Sequence, residues 1–229
     1  IEDAYERALA ADRVSAFGSV IVLNRAVTAK LGARIAEHFV EVLLAPAYED
    51  AALDALRVKE ALRILCDHER RAETPHELDY KRVLGGLLVQ ERDADAGPAE
   101  PLRVVAGSVS DEQKRDLLFA WQVCRFVSSN AIVLARERQT IGIGAGQMSR
   151  VDAVRIALEK ARELGHDPAG AVLASDAFFP FADGPQLALE AGVTALIQPG
   201  GSKRDAEVVE AVEAAGAAMV FTGRRHFRH

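Results

Sequence analysis

The sequence predicts an α/β layered fold, a mostly parallel sheet flanked by helices. Three observations lead there. From Ser149 onward helix-like and strand-like segments alternate: Ser149 to Leu164, Ala171 to Ala174, Pro185 to Ala191, Val193 to Ile197, Ser202 to Ala215 and Ala217 to Phe221. Such alternation is the mark of strands crossing over through helices. The strand candidates are short and apolar on both faces, as strands covered from both sides are. The turns that follow them are also unusual, at Gly142 to Arg150, Ser175 to Asp183 and Pro199 to Ser202, and in open α/β sheets ligands gather where strands end and helices begin.

Composition is consistent with this. The chain has 229 residues, 49% of them hydrophobic, enough for a substantial core. Its apolar runs are short and broken by charges, and its first residues, IEDAYERALA, are acidic where a signal peptide is basic, so a cytoplasmic protein is expected, with no membrane partner. A net charge of −6 gives no bulk affinity for nucleic acid. Cys66 and Cys124 lie far apart with no CxxC partner; both are expected as buried thiols, and no metal site is expected.

In chain order, Ala4, Tyr5, Ala8 and Leu9 make a helical stripe over Glu2 to Ala11. Phe17 to Leu23 reads as a strand covered on both faces, Thr28 caps a helix running to about His38, and Val40 to Leu44 is a further strand stopped by Pro46. A helix from Glu49 to about Glu60 precedes the strand Leu62 to Cys66. The polar stretch Asp67 to Leu78 reads as an exposed loop in which His68 and His76 are solvated. Asp79 to Arg92 has strand character interrupted at Gly85-Gly86, and Asp93 to Ser108 reads as the linker between two halves, 1–108 and 109–229.

Ser110 and Gln113 have the spacing of a capping box. The helix they start carries Leu117, Leu118, Trp121 and Cys124, with Trp121 in register with the apolar stripe and so a core residue. Ala131 to Ala135 and Thr140 to Ile143 form a strand pair joined at Arg136-Glu137-Arg138.

The turn Gly142-Ile143-Gly144-Ala145-Gly146 has Gln147 where a dinucleotide fingerprint needs glycine, and it lacks a Gly-Lys-Ser/Thr ending. It is either a tight structural turn or a loop whose N–H groups face a polar ligand. Ser175 to Asp183 crowds aromatics and carboxylates into a loop, the habit of a binding segment. Arg224 to His229 is basic but contains Phe227, so a docked, anion-binding terminus is expected.

At GIGAGQMSR, ASDAFFPFADG, IQPGGSKRD and VFTGRRHFRH the chain closely resembles the C-terminal transformylase region of the bifunctional AICAR transformylase/IMP cyclohydrolase family of purine biosynthesis. SAFGS, FVEVLLAP, DYKRVLGGLLVQERD and SSNAIVLARE resemble it upstream, so the similarity covers essentially the whole chain. The resemblance implies a duplicated, cytidine-deaminase-like fold, residues 1–108 being the remainder of a first subdomain and 109–229 the second. It also implies a homodimer with interfacial active sites. The implied activity is transfer of formyl from 10-formyltetrahydrofolate to the 5-amino group of AICAR, giving FAICAR.

Carried over residue by residue, the resemblance implies that Asn130 and Arg150 stand near the substrate and the formyl group, with the Asn130 amide as oxyanion donor. It sets Phe178 against the imidazole ring, Gly18 and Glu41 on AICAR, and Arg225 on the nucleotide. Folate is expected along Pro180 and Phe181, with Asp183 taking hydrogen bonds from the pterin and Val151 and Ser202 beside it. Asp176 resembles a residue near a monovalent cation, potassium, in some members; zinc is not expected, because H-x-E with a later P-C-x-x-C is absent. The chain departs from the family pattern at Ala182, where arginine is usual, at Ser19 and at Ser128. The family's Lys-His pair would precede Ile1, so the expectation is an N-terminally truncated transformylase with low activity alone. The alternatives are a non-catalytic dimerisation or ligand-binding fragment and a zinc-free, deaminase-like nucleotide-binding domain.

Overall fold

The computed structural model describes residues 1–69, 77–94 and 102–228, so His76 and His229 lie outside the described residues. The chain divides into two compact units, residues 1–72 and 73–229.

The first unit runs α1 (Glu2–Ala11), β1 (Ser19–Val22), α2 (Ala29–Ala36), β2 (Val40–Ala45), α3 (Asp50–Arg57) and β3 (Arg63–Cys66). Its strands form a parallel sheet in the order β1-β2-β3. Thr28 caps α2 as expected, its Oγ1 accepting from the Leu31 N–H at 3.2 Å while its hydroxyl donates to Glu2 at 2.6 Å. The core of this unit, Tyr5, Leu9, Leu31, Ile35, Leu43 and Leu56, gathers on one face of the sheet. The other face is open: Val20 and Val22 are each 66% exposed, with Leu65 beside the neighbouring strand's Leu44 and 49% exposed. The expected two-sided burial of β1 therefore does not hold, because the strand alternates between a packed and an open face. Cys66, expected to be buried, is exposed for a different reason: it alternates onto the packed side with Ile64, but it is the last residue of the edge strand β3.

The second unit opens with the hairpin β4 (Leu78–Val83) and β5 (Gly86–Glu91), paired antiparallel around Leu84-Gly85. It continues through β6 (Arg103–Ala106), α4 (Asp111–Cys124), β7 (Ile132–Arg136), β8 (Gln139–Gly144), α5 (Arg150–Glu163), β9 (Val172–Ser175), α6 (Asp183–Glu190), β10 (Ala195–Gln198), α7 (Asp205–Ala214) and β11 (Ala218–Phe221). The six-stranded sheet has the order β6-β11-β10-β9-β7-β8. β9, β10 and β11 run parallel and are buried throughout, while β6 and β7 run against their neighbours. This is the mostly parallel, helix-flanked α/β architecture that the sequence predicts, with one core cluster on each face of the sheet.

Two features of this unit correct the sequence reading. Arg103–Ala106, inside the expected linker, is an edge strand antiparallel to β11, so the boundary drawn at 108 falls within the second unit. Asp93, at the start of that stretch, is also tied down: its carboxylate meets His226 Nδ1 at 2.7 Å and its carbonyl accepts from Arg125 at 2.9 Å.

The capping box at Ser110 and Gln113 is present in both directions, 3.1 and 3.0 Å, and Trp121 lies in the core at 2% exposure. The β7–β8 loop, Glu137-Arg138, has both φ positive, at 53° and 57°, without glycine or asparagine. Such a turn costs about 1–2 kcal/mol per residue. The buried Asp116 of α4 offsets that cost, its carboxylate accepting from both N–H groups at 2.8 Å.

Candidate functional site

The loops after β8 and β9 come together over the C-terminal ends of these strands. Gly142 and Gly144 are there for packing: an added Cβ on Gly144 would lie 1.9 Å from the Ala153 carbonyl, and one on Gly142 would lie 2.1 Å from that of Ala157. α5 thus rests directly on β8, which sets the position of Arg150 in its first turn. The loop's N–H groups find partners inside the chain, Gly146 on Ser128 O at 2.7 Å and Gln147 on Asn130 O at 3.4 Å. Of the two readings of this turn, the structural one fits.

Arg150 is the centre of the site. Its guanidinium donates to Ser175 Oγ at 2.8 Å, to Asn130 Oδ1 at 2.7 Å and to the Asp176 carboxylate. Asp176 is fully buried, and its Oδ2 has no hydrogen-bond partner among the described residues. Asn130, whose preceding peptide is cis, is fixed from its other end by donating to Gln147 O at 2.8 Å and Met148 O at 3.2 Å. The Ser175 hydroxyl donates a hydrogen bond to Ala177 O at 2.8 Å. The result is a cation locked in place by groups from the loop before β7, the end of β9 and the loop after it.

The aromatic loop forms the wall. Phe179 is buried in the core and its N–H donates to the buried Gln198 Oε1 at 2.9 Å. That anchor leaves Phe178 half-buried and Pro180 and Phe181 exposed. The Arg204 guanidinium stacks 4.8 Å from the Phe181 ring. Asp183 begins α6, its carboxylate accepting from the Gly184 N–H at 2.8 Å.

Arg150, Asn130 and the aromatic loop line one cavity of about 530 Å³. Asn130, Arg150, Val151, Phe178, Pro180, Phe181, Asp183 and Arg225 all contribute to it. Ser202 does not line it; its Oγ accepts from the Arg204 N–H at 3.1 Å. Gly18 and Glu41 belong to the first unit, where they are neighbours. A Cβ on Gly18, at φ +73°, would stand 3.6 Å from the Glu41 carboxylate.

The C-terminal segment reaches this cavity as a docked strap. Ser129 N–H donates to Arg228 O at 2.9 Å and His226 N–H to Asp176 O at 2.8 Å. The buried anchor is His226, packed 4.5 Å from the Trp121 ring, whereas Phe227 is 47% exposed on the cavity rim. Sequence reasoning passed over His226, because one histidine in a basic tail carries no local signal of burial. Met148, which also lines the cavity, was missed as well, and Phe227, read from the sequence as the docking residue, stands on the rim instead. Among the described residues, the cavity lining contains no histidine or lysine.

A solved structure of a diaminohydroxyphosphoribosylaminopyrimidine deaminase/5-amino-6-(5-phosphoribosylamino)uracil reductase from Thermotoga maritima is 22% identical to this chain, covering 47% of it and 34% of that protein, with a TM-score of 0.31. The chain spans about a third of that protein's length, and the likeness is too slight to bear on function. A model of the AICARFT/IMPCHase bienzyme family matches residues 1–160, taking in Asn130 and the turn leading to Arg150 and ending before the aromatic loop and the C-terminal strap. Over that span, more than half of its length, the chain belongs to the AICARFT/IMPCHase bienzyme family.

Proposed function

We propose that this protein takes part in purine biosynthesis by transferring formyl from 10-formyltetrahydrofolate to the 5-amino group of AICAR. The observation that carries the reading is the locked Arg150 at the floor of a cavity with an aromatic and proline wall and a carboxylate at its edge. A ribonucleotide with a flat imidazole asks for a cation and an aromatic face. A pterin asks for apolar walls and a carboxylate acceptor at its donor edge. On this reading Arg150, Phe178 and Arg225 serve the nucleotide, and Val151, Pro180, Phe181 and Asp183 serve the folate. Gly18, Glu41 and Ser202 are further binding residues supplied from outside that cavity lining.

The attacking amine is conjugated to a carboxamide-bearing ring and is a poor nucleophile, so alignment with the formyl carbon contributes much of the rate. Attack generates an oxyanion, and one well-placed donor stabilises such a charge by about 3 kcal/mol. The Asn130 amide can act as that donor only by giving up one of its two backbone carbonyls. As it stands it orients Arg150, which keeps the cation facing the cavity. The proton leaving the amine needs an acceptor, and the carboxylate of the described lining, Asp183, is assigned here to the pterin. In the family that role falls to the Lys-His pair.

A potassium ion near Asp176 is compatible with the orphaned, buried Oδ2, whose charge a cation would offset. A homodimer is part of the same reading. Support comes from the β4–β5 hairpin, which leaves Leu78, Tyr80, Leu87 and Val89 exposed on one face. Calorimetric titration with AICAR and a folate analogue, beside a formyl-transfer assay, tests the proposal. Binding of both ligands supports it, and binding of neither removes it.

A further inference from the structure

The first unit contains a concave site whose lining shares no residue with the cavity assigned to formyl transfer. Its cavity, about 460 Å³, lies at the C-terminal end of β3 and is lined by Tyr48, Leu53, Arg57, Cys66 and His68 among others. Cys66 Sγ stands 3.6 Å from His68 Nδ1, within sulfur hydrogen-bonding range, and 3.4 Å from Pro46 O. The backbone leading to this thiol is rigid. β3 pairs with β2 up to Ala45 and Cys66, and the Tyr48 hydroxyl bridges Leu43 O at 3.0 Å and Leu65 O at 2.7 Å. Burial pushes the Tyr48 phenol up to about 12, so it stays a neutral donor in that bridge. Cys66 and His68 are both exposed. The Arg57 side chain is 67% exposed, and its Asp54 partner is distant at 4.0 Å.

A nucleophile, a base and a cation therefore share one open pocket. We propose that Cys66 and His68 form a thiol–imidazole pair that exchanges with a small anionic disulfide, whose negative charge Arg57 attracts. The Sγ proton moves to the imidazole, and the thiolate attacks one sulfur of R–S–S–R. The new Cys66–S–S–R bond forms as the original S–S bond breaks. The leaving R–S⁻ then takes the proton from the imidazolium. The disulfide is the oxidant, and the products are the mixed disulfide and one R–SH. Cys124 is an internal control: it is buried, its thiol pushed up by that burial and directed at Ala131 O at 3.5 Å.

The test uses the 229-residue chain with two probes, the anionic aromatic disulfide dithiobis(nitrobenzoate) and the cationic disulfide cystamine. Adducts are located by mass spectrometry and rates are followed against pH. The expected result is one fast adduct, at Cys66, formed near pH 7 about tenfold faster than in His68→Gln, with the two rates converging near pH 10 where a thiol ionises unaided. Arg57→Gln is expected to slow dithiobis(nitrobenzoate) about threefold or more and to spare cystamine. The proposal fails if His68→Gln reacts as fast as the parent near pH 7, if Cys66→Ser keeps the fast adduct, or if Arg57→Gln slows both probes equally. Circular dichroism of each variant confirms that these exposed substitutions leave the fold intact. None of these outcomes depends on the formyl-transfer reading.

Discussion

Arg150 and Asp176 form a buried ion pair in which both side chains are almost completely enclosed, 8% and 1% exposed. Two desolvated charges tolerate the interior only while they face each other; Ser175 and Asn130 take the remaining hydrogen bonds of Arg150, which leaves Arg150 as the side-chain partner that Asp176 depends on. Removing either partner strands the other. Asp176→Ala and Arg150→Met are each expected to cost about 3–5 kcal/mol in urea denaturation. A double variant that removes both charges should recover much of that loss while still failing to bind AICAR. Single variants within about 0.5 kcal/mol of the parent would contradict the burial described.

His226 couples the C-terminal strap to the same floor, since its N–H holds the Asp176 carbonyl while its ring meets Asp93. Burial pushes the imidazole below its ordinary value of 6.5, against the opposing pull of the Asp93 carboxylate. With the folded value lowered, the unfolded chain binds this proton more readily. Stability from this group is therefore complete above about pH 6.5 and is lost as pH falls through the folded value. Urea denaturation of the parent and of His226→Asn between about pH 8 and pH 5 checks the sign. The parent should lose its margin over the variant on the acid side. A margin that grows on acidification would reverse the assignment.

Much of the fold was legible because its signals are local. The Ser110–Gln113 box, the Thr28 cap and the apolar stripe carrying Trp121 each act within a turn or two of helix. The failures are non-local. β6 was hidden in a polar, proline-containing stretch because its partner β11 lies at the far end of the chain. The β7–β8 turn has no turn-forming residue of its own, since Asp116 supplies the compensation from α4. The exposure of Cys66 follows from its place at the end of the edge strand β3, and strand order is not a local signal. The candidate site was largely readable because Arg150 and Phe178 to Asp183 belong to one stretch of sequence, although its lock on Asn130 and Asp176 appears only in three dimensions.

The glycines of β8 offer a sharper check on why that stretch has its shape. Gly144→Ala would drive a methyl group to 1.9 Å from the Ala153 carbonyl, a backbone atom that cannot move without α5. The expected loss is about 3 kcal/mol or more, together with weaker ligand binding as Arg150 shifts. Gly86→Ala, whose added Cβ meets nothing within 4 Å, is the matched control and should stay within about 0.5 kcal/mol of the parent. Equal stability of the two variants would show that α5 does not rest on β8 as described.

The two sides of the cavity should also separate by ligand if the formyl-transfer proposal is right. Asp183→Asn keeps an acceptor for the Gly184 N–H, so α6 retains its first turn, but it loses the charge offered to a pterin. A hydrogen bond to a charged group contributes about 1.5–3 kcal/mol, so folate-analogue affinity should fall about tenfold or more while AICAR affinity is unchanged. Phe178→Ala should do the reverse, because this half-buried ring is assigned to the imidazole face. The core neighbour Phe179, which the Gln198 contact holds, is left untouched. Isothermal titration of both ligands against both variants gives a two-by-two comparison. A common loss for both ligands in each variant would mean that the loop acts as one undivided wall, and the split between a nucleotide side and a folate side would be withdrawn.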